Sequence, residues 1–193
     1  MEAALVMLKR QHGINDVYIY RDVGRMQCLF SDIFIGFDRL ECVRRMFGKE
    51  TLPILTNLDV RIFDGEGYMW VDPDHAALMV NRHYLENGSK RDIYLDAIHE
   101  LVHVRQLLEG KQLFDERYKY VNRPTEIEAY KIAVKEGRRI GMNKEELEEY
   151  LKVDWISKEE LERLCINVGL EKQIRKKPTK KKKIKMQKKK KVK

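Results

Sequence analysis

Apolar and polar residues alternate along Asp16-Val17-Tyr18-Ile19-Tyr20-Arg21 and again along Leu58-Asp59-Val60-Arg61-Ile62-Phe63. A period of two predicts a strand in each place. Residues 26–30 and 32–37 are further apolar runs, rich in aromatic and β-branched side chains. They fit a hairpin, or a strand feeding a helix over 38–47, and periodicity does not separate the two. Gly48-Lys49-Glu50 and Pro53 punctuate the chain. Asp64-Gly65-Glu66-Gly67 reads as a turn, 68–71 as a strand, Asp72-Pro73-Asp74 as a second turn and 76–81 as another strand. Residues 1–12 begin with an amphipathic pattern and are expected to be helical.

The period changes after Ser89. Ile93, Ala97, Ile98, Leu101, Val102, Leu107 and Leu108 recur at helical spacing. Ser89 is a good N-cap, with Asp92 three residues on, and Gly110 is a natural stop. These signals predict a helix at about 90–109, entered directly from the small sheet. It carries Ile98-His99-Glu100-Leu101-Val102-His103, an H-E-x-x-H sequence. Residues four apart share a helix face, so His99 and His103 can point at one ion, each imidazole nitrogen about 2 Å from a zinc. Glu100 can take a proton from a water held there. Both histidines border the apolar stripe and so face a cleft floor rather than open water.

A polar, aromatic stretch at 111–122 follows. Pro124 suits the first turn of a helix over about 124–136, ended by Gly137 and Gly141. Asn143 with Glu146, and Ser157 with Glu160, are capping pairs opening short helices at about 144–151 and 158–168, with Trp155 between them. The expected organisation is a domain at 1–142, a helical hairpin packed on it at 143–171, and a disordered tail at 172–193.

Composition changes the picture in two places. The 193 residues carry a net charge of +8, but residues 172–193 hold fourteen positive charges and no acid, which leaves residues 1–171 at −6. The basicity is therefore a tail, and the body is mildly acidic. Cys28, Cys42 and Cys165 are odd in number and widely spaced, with no C-x-x-C, which fits reduced thiols in a cytoplasmic protein and does not support a cysteine-built structural zinc. No apolar run reaches membrane length, and the N-terminus lacks the order of a signal peptide.

Two histidines hold zinc poorly alone, and a catalytic site wants three protein ligands and one open position. A third histidine in H-E-x-x-H-x-x-G-x-x-H is excluded, because Gln106 and Glu109 stand at the glycine and histidine positions. Glu126 and Glu128 are the candidates on the next helix. Ala129, Tyr130, Ala133 and Gly137 share a face with Glu126 and allow close packing, whereas Glu128 shares its face with Lys131, Lys135 and Arg138. Glu126 is therefore preferred, with Glu128 as the alternative. His99-Glu100-x-x-His103 followed by Glu126-x-x-Ala129 resembles the gluzincin clan of zinc metallopeptidases, and the short length resembles the minigluzincins. The resemblance covers about residues 55–140. It implies a zincin-like α+β fold: a small mixed sheet, an active-site helix and a glutamate-ligand helix. His99, His103 and Glu126 would be the ligands of Zn2+, and Glu100 the general base and acid. The strand at 76–81 would form the upper rim of the cleft, where an extended peptide pairs with its edge. Tyr130 departs from the acidic residue often found four positions after the glutamate ligand.

The activity implied is peptide-bond hydrolysis on a polypeptide substrate, by an endopeptidase rather than an exopeptidase. Tyr130, ahead of His83 and Arg123, is the candidate partner of the developing oxyanion. His75 and His83 flank the strand at 76–81 and have a structural or exposed role as their simpler reading. The lysine blocks at 180–183 and 188–191 would bind nucleic acid or another polyanion without sequence selectivity, and no aromatics interleave them for base stacking. The alternative function is accordingly a nucleic-acid-associated or regulatory protein, similar in role to SprT-like proteases or to the ImmA/IrrE type. No membrane partner is expected.

Overall fold

A computed structural model of the chain describes residues 12–24 and 26–170. The helix expected over 1–12, His12 excepted, and the tail at 172–193 lie outside these residues. The fold is α+β, a small mixed sheet with several helices.

The alternation at 58–63 forms β4 (Asp59–Phe63), whose Val60 and Ile62 point into the core while their neighbours stay half-exposed. β5 (Met69–Asp72) and β6 (Ala77–Asn81) follow the two predicted turns. With β2 (Gln27–Leu29) they make a sheet in the order β2-β4-β6-β5. β4 and β6 run parallel, with Val60 opposite Leu78, and the other neighbours are antiparallel. The strand expected at the rim is thus corrected. β6 lies between β4 and β5 with both edges paired, so it cannot receive a peptide, and among the described residues the free edge on that side belongs to β5.

The N-terminal part is more broken than the apolar runs suggest. The strand expected over 16–21 shrinks to β1 (Tyr18–Ile19), which among the described residues pairs with β3 (Phe34–Ile35) alone. Residues 30–33 between β2 and β3 form one turn of helix, α1 (Phe30–Ile33). Phe30, Phe34 and Phe37 cluster with ring centroids 4.7–5.6 Å apart, and Tyr94 joins at 5.5 Å from Phe37. Burying these rings together determines the local path more than any single period does. α2 (Glu41–Phe47) and α3 (Thr51–Asn57) follow. Pro53 does not break the chain, because it falls in the first turn of α3, where its missing N–H has no helical partner to lose.

A short helix, α4 (Arg82–Asn87), capped by Asn81 accepting from Tyr84 N–H, separates the sheet from the next helix rather than leading into it directly. α5 (Lys90–Leu108) begins where Ser89 Oγ accepts from the amides of Arg91 and Asp92. It is buried along its length, from Ile93 to Gln106, between the sheet and α6 (Pro124–Arg139). Ala129 and Ala133 are fully buried, as the small-residue face requires for close approach.

α6 does not stop at Gly137. This residue is buried inside the helix, where an added Cβ would stand 2.6 Å from Leu147 Cδ2. Its missing side chain admits α7 (Lys144–Leu151), and the helix turns out only at Gly141, where φ is +95°. α8 (Lys158–Asn167) follows, and α7 and α8 both carry the predicted capping boxes. Leu147, Leu151, Leu164 and Cys165 belong to the same buried apolar cluster as the sheet and α5. Among the described residues no disulfide links the three cysteines, and no helix is long and apolar enough to cross a membrane.

Candidate metal centre

α5 presents His99, Glu100 and His103 at the bottom of a cleft, 5, 6 and 6 % exposed. Their ligand atoms lie within 4.8 Å of one another. α6 brings Glu126, also buried, from the opposite side. His99 Nε2 and His103 Nε2 stand 3.0 Å apart, and Glu126 Oε2 is 3.4 Å from the first and 3.5 Å from the second. Donor atoms bound at 2.0–2.1 Å in a tetrahedron are about 3.3 Å apart. The three atoms therefore form the base of a site that fits a cation of zinc's size.

The surrounding bonds favour the same arrangement. Gln106, fully buried on α5, donates from Nε2 to Thr125 O at 3.1 Å and to Glu128 Oε2 at 2.9 Å. That leaves its Oε1 facing His103 Nδ1 at 2.8 Å. An amide oxygen can only accept, so Nδ1 carries the hydrogen and Nε2 keeps its lone pair for the cleft. Arg123 Nη1 lies 3.5 Å from Glu126 Oε1, which turns the other carboxylate oxygen toward the histidines. Glu128 points elsewhere: it takes Arg105 at 2.5 Å, Gln106 at 2.9 Å and Lys111 at 3.2 Å, and meets neither histidine.

Two nitrogen lone pairs and a carboxylate converging in a buried space repel one another unless a cation or a proton lies between them. In the metal-free protein a proton partly takes that place. Burial pulls the His103 imidazole down, but Glu126 and Glu100 outweigh it and raise its pKa, while burial leaves His99 lowered. Burial opposes the Glu126 carboxylate, yet its bonds with the two histidines hold it far below the usual range. Glu100 has less support, a backbone hydrogen bond at Val71 and the charge of His103. Burial raises it to about 8, and its Oε2 is enclosed without a hydrogen bond.

Two hollows open from this floor. One, of about 330 Å3, is lined by Met69, Trp70, Leu113 and Phe114 beside Arg123, His103 and Glu126. The other, of about 180 Å3, is lined by tyrosines and by Asp92 and Asp96, with His99 and Glu100 at its inner end. Residues 67–71, which include the first three residues of the edge strand β5, border the first hollow. Tyr130 packs against the His99 ring at 4.3 Å, and its Oη hydrogen-bonds Tyr120 Oη at 2.8 Å. Tyr120 lines both hollows. His75 is exposed and bonded to Asp72, His83 is exposed beside Asn87, and neither lines either hollow. Gln106, Asp96 and Tyr120 were not singled out from the sequence. Gln106 alone carries a local signal, three residues after His103 on the same face.

No family model, curated protein or solved structure matches this chain. Any reading of the site therefore stands on its residues.

Proposed function

We propose that the chain is a zinc-dependent metallopeptidase of zincin-like build, working as an endopeptidase on polypeptides in the cytoplasm. The observation that carries this is the triangle of His99 Nε2, His103 Nε2 and Glu126 Oε2 beside a buried Glu100 whose Oε2 has no hydrogen bond. His99, His103 and Glu126 would hold the ion, with Gln106 and Arg123 orienting two of the three. Zinc bound there polarises a carbonyl and acidifies water.

The chain's own groups do the rest. Glu100 takes a proton from the attacking water and gives it to the leaving amine, a role its place beside the two histidines allows. The Tyr130–Tyr120 hydroxyl pair orients one O–H toward the cleft for the developing oxyanion. β5 offers its free edge to an extended peptide, which suits cleavage within a chain rather than at its end. α7 and α8, as a helical hairpin, close one side of the cleft through Tyr150 and Trp155. The lysine-rich tail adds non-specific attraction to polyanions.

The test is elemental analysis of the purified full-length protein with peptide hydrolysis measured alongside. One zinc per chain is expected, lost in His103→Ala and Glu126→Ala and kept in Glu128→Ala. Glu100→Gln is expected to keep the zinc and lose about 10²–10⁴-fold in hydrolysis. A wild type that binds no zinc when offered it, or a Glu100→Gln variant with full activity, would overturn the reading.

A further inference from the structure

The smaller hollow is walled by a closed circuit of aromatic side chains drawn from six separate segments. Tyr84 of α4 meets Tyr68 at 4.9 Å between ring centroids, and Tyr68 meets Trp155 at 5.9 Å. Trp155 meets Tyr120 at 5.9 Å, Tyr120 meets Tyr130 at 6.3 Å, and Tyr130 meets Tyr150 of α7 at 6.3 Å. Asp96 closes the ring. Tyr84 Oη donates to its Oδ2 at 2.5 Å, and the Tyr150 hydroxyl faces it without completing a hydrogen bond.

Rings packed for burial alone need no carboxylate among them, and a carboxyl enclosed by tyrosines is costly to keep. Burial raises Asp96 to about 6, so it remains ionised at neutral pH despite that cost. Asp92 lines the same hollow, and so does Glu149 at the mouth. The cation among the lining side chains, Lys152, is exposed and lies 3.4 Å from Glu149; Asp92 has Arg91 nearby, outside the hollow, and among the described residues no lysine or arginine pairs with Asp96. Aromatic faces attract a cation within about 6 Å of their centroids, and an inner carboxylate adds charge-assisted bonding. A chamber of about 180 Å3 is of side-chain rather than polymer size. Its inner end is formed by His99 and Glu100.

We infer that this hollow holds a lysine or arginine side chain of a polypeptide, in the position flanking the bond presented to Glu100. Only the last clause rests on the peptidase reading; the capture of the side chain does not. The larger hollow, with its apolar lining, takes the other flank, so the chain addresses a basic residue next to an apolar one.

The experiment uses the purified full-length protein in two arms. In the first, acetyl-arginine amide and acetyl-norleucine amide are titrated calorimetrically. The arginine compound is expected to bind about tenfold tighter or more, and Asp96→Asn to erase the difference. Trp155→Leu, at a position 55 % exposed at the mouth and so tolerant of change, is expected to weaken arginine binding several-fold, and it serves if Asp96→Asn fails to fold. Equal affinity of the wild type for the two compounds overturns the inference. In the second arm, fluorogenic peptides differing only in arginine or norleucine are offered to the zinc-loaded protein. Cleavage without preference overturns the pocket and spares the peptidase, whereas arginine binding without any cleavage supports the pocket and removes the peptidase.

Discussion

Gln106 makes three hydrogen bonds from a fully buried position, and one of them fixes the proton on His103. Gln106→Met keeps the volume and removes all three. His103 would then lose the acceptor at 2.8 Å that keeps Nδ1 protonated and Nε2 bare. Second-sphere partners of this kind are worth about 10–100-fold in metal affinity, or about 1.4–2.7 kcal/mol. The assay is a zinc titration in competition with a chromophoric chelator of known affinity. Glu128→Ala is the control: it removes one acceptor of the Gln106 amide but leaves the bond to His103, and its zinc affinity is expected to stay within about threefold of wild type. The metal-free stability of both variants, from urea unfolding, separates a loss of fold from a loss of ligand orientation. Unchanged zinc affinity in Gln106→Met, with His103→Ala losing the metal, would refute the reasoning and make Gln106 a packing residue.

Two further outcomes follow from burial. Asp96 is raised from 3.8 to about 6, so the folded state binds its proton more tightly than the unfolded chain does. The carboxylate then costs up to about 3 kcal/mol above pH 6, a cost that fades as pH falls toward 4. Asp96→Asn is expected to be the more stable protein at pH 7 and to lose that advantage by pH 4, measured by urea unfolding at the two values; a pH-independent difference would refute it. Gly137→Val forces branched methyls toward Leu147 and Met142 and is expected to destabilise by about 1–3 kcal/mol, whereas a helix-ending glycine outside the packing would tolerate it.

The parts of this fold that were legible in the sequence are those whose signals are local. α5 carries its own cap at Ser89 and its own period, so its limits were predictable to about a residue. Spacing to Ala129 and Ala133 favours Glu126 over Glu128; in the structure Glu126 lies beside the two histidines and Glu128 pairs with Arg105 and Lys111. What failed was tertiary. Gly137 looks like a stop until α7 is seen to need the space, and Pro53 looks like a break until it is seen in a first turn. Alternation identifies β5 and β6 equally well but does not say which lies at the edge. The aromatic circuit spans residues 68–155, and no local pattern joins Tyr68 to Trp155 or Asp96 to Tyr150.

That wide span also gives the cleft an order of assembly in time. The sheet and α5 leave the ribosome first, then Glu126, and only later Tyr150 and Trp155, which close the second hollow. At about 5–20 residues per second, roughly 1.5–6 s of synthesis separates Glu126 from Trp155. During that interval the nascent chain has its three donor atoms and lacks part of the wall that would grip a side chain. Sequence order alone therefore completes the set of three donor atoms before the aromatic wall of the second hollow is made.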